Sequence, residues 1–305
     1  MRHWWLVFVC LLAVLPLLIS CSDASSASGV PTKLKMAYLP SDDDTERRLN
    51  EYTELAEFLT VQIGIPVELI RTAGYGPMIE AMRARKIDFA MSGSSFTYMI
   101  AHEKAGAEAL AIRGTEAGPG IYRAGIVTNS STGLNSLEDL KAKQSELVFA
   151  FVDPASTSGH LIPRHGLESN GIDPEDFKQV IFTMSHTNSA MTLLSGKVDA
   201  GAISLSLIDR MLEADRMQEG DLVVLWESEP IPNGPLIARQ ELPEELKTKI
   251  QQAFLAINDD EALLAIMRRQ VASDDMIYLA VDDNHWDGLR DLAAGLESMK
   301  LLSQR

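Results

Sequence analysis

Short apolar runs alternate with amphipathic helical stretches through most of this chain, and that alternation limits the fold more than any other feature. KLKMAYL (33–39) is followed by a helical period from Thr45 to Ile63, then VELI, a helix from Pro77 to Arg85, and IDFAMSG. Within the first helix, Leu49, Tyr52, Leu55, Ala56 and Leu59 recur at spacings of three or four, which puts them on one buried face. The second half repeats this alternation with ELVFAFV, a helix from Ser158, QVIFTM, a helix from Asn188 to Ser195, VDAGAIS, a further helix and LVVLWE. Strands separated by helices specify an α/β architecture with largely parallel sheets. After Pro230, Pro232 and Pro235 comes one more strand, PLIAR, and then helices beginning near Pro243, Asp259 and Asn284. The tail has no strand of its own in this reading and is expected to return to the first lobe. Residues 32–125 plus 231–305 then form a discontinuous lobe 1, and residues 126–230 an inserted lobe 2.

The opening MRHWWLVFVCLLAVLPLLISC pairs one arginine with an apolar run too short for a comfortable membrane span, so residues 1–20 read as a leader. Leu18-Ile19-Ser20-Cys21 resembles the lipobox of bacterial lipoproteins, which makes Cys21 the lipidated new N-terminus. Residues 21–31, small and polar, read as a tether. The expected location is the periplasm or cell surface, with the membrane reached through the lipid alone. Cys10 leaves with the leader, so the mature chain has no intramolecular disulfide, and its stability rests on its core. The formal charge of −16 becomes −17 without Arg2. Such a balance argues against nucleic acid and anionic membrane surfaces as partners. It leaves room for an anionic ligand, because surface charge is screened over about 10 Å while local dipoles act within a pocket.

No GxSxG, HExxH or CxxC motif occurs, and the glycine-rich GYGP and GTEAGPG match neither nucleotide-binding pattern. His160 and His165 are five apart and do not share a helix face, which argues against a metal pair. The chain is expected to be no enzyme, with no cofactor and no metal. Asp42, Asp43 and Asp44 read as a solvated cap of the first helix. DPASTSGHLIP (153–163) is different. A strand running into Asp153-Pro154-Ala155 and then into a helix near Ser156 leaves backbone N–H groups at the positive end of a helix dipole. Ser156, Thr157 and Ser158 add three rotatable donors where capping needs one. That combination suits a tetrahedral oxyanion.

The segment from FVDPASTSG to SHTN and VDAGAIS resembles the phosphonate-binding proteins of bacterial ABC importers, the PhnD-like family, which includes phosphite binders. Weaker similarity extends to YTELAEFLTVQIGIPVELI, GYGPMIEAMRARKIDFAMSG, SLEDLKAKQSELVFAFVDP and LPEELKTKIQQAFL, nearly the whole mature chain. The resemblance implies the type II periplasmic-binding-protein fold, two α/β lobes joined by two hinge segments around a ligand cleft. It implies that Ser156, Thr157, Ser158 and His186 hold the phosphorus group and that Tyr75 and Tyr98 reach it from lobe 1. The bland alternatives are a capping role for His186, a turn aromatic for Tyr75 and a core residue for Tyr98.

Aminoalkylphosphonate binders of that family carry acidic residues for the ammonium. Here the matching positions are Thr187 and Ser204, so a small phosphorus oxyanion such as phosphite, methylphosphonate or phosphate is the expected ligand. The implied partner is an ABC permease in the cytoplasmic membrane, and a monomer is the family expectation. A sensor lipoprotein for a membrane histidine kinase, or a binder of a different small oxyanion, is the second reading.

Overall fold

The chain resolves into two sheets covered by helices and joined by a narrow pair of crossing segments. The structure, a computed structural model, describes residues 31–39, 46–271 and 273–295. The leader, Cys21, nearly all of the tether and Asp42–Asp44 lie outside the described residues. The first sheet contains β1 (Leu34–Tyr38), β2 (Val67–Arg71), β3 (Phe89–Met91), β4 (Ala107–Thr115), β5 (Gly118–Pro119), β13 (Leu236–Arg239) and β14 (Ile277–Ala280). Its order is β14-β4-β13-β3-β1-β2, with β5 paired to β4. β2 and β3 run parallel to β1, whereas β13 and β14 pair antiparallel with β4. The sheet thus takes strands from both ends of the chain.

The second sheet has the order β11-β7-β10-β8-β9, from β7 (Ala124–Asn129), β8 (Val148–Phe151), β9 (Gln179–Phe182), β10 (Ala200–Ser204) and β11 (Leu222–Glu227). Its first strand begins at Ala124, two residues before the break expected after 125. Between the sheets, β6 (Ile121–Tyr122) and β12 (Ile231–Pro232) pair antiparallel, Ile231 opposite Tyr122. The two segments that cross between lobes are therefore tied to each other.

Helices α1 (Glu46–Ile63), α2 (Tyr75–Arg83), α3 (Ser95–Ala105), α8 (Glu244–Leu255), α9 (Glu261–Val271) and α10 (Asp287–Gly295) accompany the first sheet; α4 (Leu137–Lys143), α5 (Ile162–Ser169), α6 (His186–Leu194) and α7 (Ser206–Glu213) accompany the second. The stripe expected on the first helix is real where it matters: Tyr52, Leu55, Ala56 and Leu59 are buried, while Leu49 is exposed. Each sheet uses an aspartate to lock its parallel strands. Asp88 accepts from the Lys35 N–H through Oδ2 (2.7 Å) and from Arg239 Nε through Oδ1 (2.9 Å), and Asp199 accepts from the Val148 N–H through Oδ2 (2.7 Å). A carboxylate that accepts a buried backbone N–H replaces water with a charge-assisted bond.

The tail differs from the sequence reading. Ile277–Ala280 forms β14 against β4, with Tyr278 opposite Arg113, and the Tyr278 N–H also donates to Asn258 Oδ1 at 2.8 Å. Four residues are too few to show a strand period, and pairing with β4 supplies what the pattern lacks. The segment then packs on lobe 1: Trp286, fully buried, donates through Nε1 to Ser95 Oγ and to the Asn233 carbonyl, both at 3.2 Å.

Candidate functional site

Of the ligand-site residues singled out by the sequence, all but Tyr98 lie near the carboxyl end of a strand. β2 leads to Tyr75, β8 to Ser156–Ser158, β9 to His186, and β10 ends at Ser204. In open α/β sheets that edge is where side chains and helix N-termini converge on a ligand.

Gly159 shapes the Ser156 turn. After Phe151 the chain makes a π-helical turn over Thr157–Leu161 before α5, closed by the Leu161 N–H donating to the Ser156 carbonyl at 3.0 Å. Gly159 donates to Ser156 Oγ (3.0 Å) and accepts from the Val152 N–H through its carbonyl (2.8 Å). A Cβ on Gly159 would stand 2.4 Å from Val152 Cβ, so only glycine permits the turn to press against the strand end. Asp153, just before it, accepts from the Ala155 N–H through Oδ1 at 2.8 Å, and burial pushes its carboxyl pKa upward against that bond. Ser156, Thr157 and Ser158 are 1%, 0% and 2% exposed.

The partner of this turn is Ser94, a residue that the sequence reading missed. Ser94 caps α3 from lobe 1, accepting from the Thr97 N–H at 3.4 Å, and it also accepts from the Thr157 N–H at 3.0 Å. Thr157 reciprocates: its Oγ1 accepts from the Phe96 N–H at 2.8 Å and lies 2.7 Å from Ser94 Oγ. Thr97 Oγ1 donates to the Ala155 carbonyl at 2.9 Å. Two helix N-termini, one from each lobe, therefore face each other with hydroxyl oxygens between them. Opposed positive dipole ends repel unless something electron-rich lies at the junction.

Tyr122, on the crossing strand β6, is a second addition. Burial pushes its phenol pKa upward, offset in part by the neighbouring Ser158 and Thr157 hydroxyls, and so keeps it protonated beside the turn. An aromatic inside the glycine-proline connector GPGIYR was the available signal, as was the serine pair of GSSFTY for Ser94. Tyr75, the first residue of α2, lays its ring against Gly93, directly before Ser94; a Cβ there would lie 3.2 Å from the Tyr75 ring.

His186 opens α6, and its Nδ1 accepts from the Ser204 N–H at 3.0 Å. That bond leaves the ring proton on Nε2. Capping of α6 falls to Ser185, whose Oγ accepts from the Asn188 N–H at 3.0 Å, so His186 is not the cap. Thr187 and Ser204 are both buried beside it.

The structure takes Tyr98 out of the cleft. It falls one turn into α3 on the face covered by the C-terminal segment. Its ring is fully buried edge-on against Trp286, centroids 4.8 Å apart, and its hydroxyl donates to Asp283, which Arg290 also engages. Among the described residues, no helix is long and apolar enough to cross a membrane, and no cluster of three metal-ligating side chains occurs.

A family model described as the periplasmic substrate-binding protein of a phosphonate ABC transporter matches residues 36–283. The chain belongs to that family. As a member of this phosphonate-binding family it is 28% identical over 244 residues to the phosphate-import protein PhnD of Mycolicibacterium smegmatis, covering 76% of this chain and 74% of the relative. A binding protein component of an ABC phosphonate transporter from Pseudomonas aeruginosa superposes with a TM-score of 0.73 at 26% identity, covering 85% of each chain. PhnD1 from Prochlorococcus marinus, solved with methylphosphonate, shares the fold at a TM-score of 0.71 and 19% identity, covering 86% of this chain and 97% of its own. The fold is thus the type II periplasmic-binding-protein fold, and the family is one of substrate-binding proteins of ABC transporters.

Proposed function

We propose that this chain is the extracytoplasmic capture component of an ABC importer and that its cargo is a small phosphorus oxyanion: phosphite, methylphosphonate or a related phosphonate. The observation that carries the reading is the reciprocal capping of two opposed helix N-termini by Ser94 and Thr157. A tetrahedral oxyanion at that junction takes over the role the hydroxyls play toward each other and draws donors from both lobes. Ser156, Thr157, Ser158 and His186 serve it from lobe 2, Tyr75 and Ser94 from lobe 1, and Tyr122 from the hinge. Closure follows from affinity, because only the closed form offers both sets. Micromolar binding needs about 8 kcal/mol net, within reach of a few charge-assisted bonds of about 1.5–3 kcal/mol each after ordering costs.

Thr187 and Ser204 give no carboxylate to an ammonium, whose desolvation would cost several kcal/mol, so 2-aminoethylphosphonate is disfavoured. The lobes, 32–125 plus 231–305 and 126–230, move as units about the β6–β12 crossing. The closed protein docks on a membrane permease as a monomer, held nearby by a lipid on Cys21, and performs no chemistry on its cargo. Calorimetric titration with phosphite, methylphosphonate, phosphate, 2-aminoethylphosphonate and sulfate tests the reading. Tight binding of one small phosphorus oxyanion, with 2-aminoethylphosphonate and sulfate weaker by about tenfold or more, is expected; equal affinity for sulfate or no heat from any of the five contradicts it.

A further inference from the structure

Arg113 stands apart from the other arginines of lobe 1. It is half-buried, and among the described residues its guanidinium forms no ion pair and no hydrogen bond. Half-buried arginines elsewhere have carboxylates: Arg239 pairs with Asp88 at 2.9 Å, Arg290 with Asp287 at 2.7 Å and Arg164 with Glu175 at 3.2 Å. A cation drawn part-way out of water without a counter-charge is unfavourable, and an arriving anion relieves it.

Its place in the sheet puts it where an anion would arrive. β13 pairs antiparallel with both β3 and β4, so β3 and β4 run the same way, and β1 is parallel to both β2 and β3. Arg113, near the carboxyl end of β4, therefore lies at the sheet edge from which β2 leads to Tyr75 and β3 to Ser94. Tyr278 stands opposite Arg113 on the same face, and its hydroxyl lies 3.8 Å from Sδ of Met91, the last residue of β3. Both crossing segments hold the Arg113 carbonyl, which accepts from the Gly120 N–H at 2.9 Å and from Asn233 Nδ2 at 3.4 Å. Burial raises the phenol pKa of Tyr278 to about 12 and raises that of Tyr122, and the Arg113 charge opposes burial in both. The guanidinium thus acts on the hinge tyrosine beside Thr157 and Ser158 as well as on its strand neighbour.

We propose that Arg113 is the counter-charge of the anion site, a cation that lobe 1 offers to a phosphorus oxyanion held at the Ser156–Ser158 turn. The proposal rests on the reading that such an oxyanion binds there. Helix termini and hydroxyls carry partial charges, whereas a guanidinium carries a full one at every physiological pH. In a chain of net charge −16 it also gives an incoming anion a local attraction against the surrounding carboxylates. Arg113 acts on the charge of the ligand and not on its shape, so its effect extends to every small oxyanion that the turn accepts.

The test is calorimetry on the full chain with methylphosphonate, phosphite and phosphate, repeated on Arg113→Gln and Arg113→Lys, with urea unfolding of each ligand-free protein. For whichever of the three binds the wild type most tightly, Arg113→Gln weakens affinity about tenfold, the effect of one charge-assisted contact, and Arg113→Lys recovers most of it. Ligand-free Arg113→Gln unfolds at the wild-type urea midpoint or above it, because the substitution breaks no pair and removes an uncompensated charge. A merely structural role would lower the midpoint in step with affinity. Raising salt from about 0.05 to about 0.5 M weakens binding more in the wild type than in Arg113→Gln. Affinity in Arg113→Gln within about twofold of the wild type, equal weakness in Arg113→Lys, equal salt dependence or a lowered ligand-free midpoint overturns the proposal and leaves the proposed function standing. No binding of any of the three by the wild type overturns both.

Discussion

His160 sits directly behind the Ser156 turn, buried between the rings of Phe151 and Phe182. Its Nδ1 bonds to the Pro154 carbonyl at 3.0 Å and Arg164 donates to Nε2 at 3.3 Å, so the ring is neutral and supports the turn from below. Burial is the main reason that its pKa drops to about 4. Between pH 6.5 and 4 the unfolded chain binds this proton and the folded chain does not, so stability falls as pH falls through that window. The loss attributable to His160 is about 2 kcal/mol at pH 5 relative to pH 7. Urea unfolding at both pH values shows the drop in the wild type and a smaller one in His160→Gln; equal drops in both contradict it. Ser94 carries a second prediction for a single side chain. Ser94→Ala removes the cap on α3 and the acceptor for the Thr157 N–H, with an expected loss of about 1 kcal/mol in stability and about tenfold in methylphosphonate affinity. Urea unfolding and calorimetry read the two effects, and unchanged affinity would detach Ser94 from the site.

Among the elements, the hinge strand after β12 is held against the start of α3. A Cβ on Gly234 would stand 2.5 Å from the Ser94 backbone nitrogen and 2.7 Å from Ser92 Oγ. A backbone nitrogen cannot rotate away, so Gly234→Ala pushes the hinge off α3. The expected outcome is an affinity at least about tenfold weaker with unchanged far-ultraviolet circular dichroism; wild-type affinity would show that the hinge is not held there. Much of this layout was legible in the chain. The period-3.6 stretches and the runs between them placed α1, α6, β8 and β10 within a few residues, because apolar spacing is a local signal. The Ser156–Ser158 turn announced itself through surplus hydroxyls after a strand. β14 was not legible, since IYLA is a strand only because β4 offers an edge. Tyr98 was misplaced for a related reason: which face of α3 meets the cleft is set by Trp286, 188 residues later. Ser94 and Tyr122 join the proposed site only through the contact between the lobes: GSSFTY and GPGIYR mark the residues locally, but not what they meet.

For the whole molecule, the charge of −16 and the proposed anion site are compatible because they act over different distances. Surface carboxylates are screened within about 10 Å, whereas helix termini and hydroxyls act at the contact distance of a hydrogen bond. The apolar contact between lobes is continuous: Ala155, Leu161 and Ile162 of lobe 2 share a buried cluster with Ala90, Phe96 and Trp286 of lobe 1. The contact between the lobes is thus built from packing as well as from hydrogen bonds. Whether the oxyanion lies where the two helix N-termini meet can be read at the atoms themselves, from a crystal structure of the protein with methylphosphonate. Phosphonate oxygens are expected within hydrogen-bond distance of Ser94, the Ser156–Ser158 turn and the Tyr122 hydroxyl. Phosphonate density elsewhere, with the Ser94–Thr157 contact unchanged, would place the anion outside the junction and contradict the proposed site.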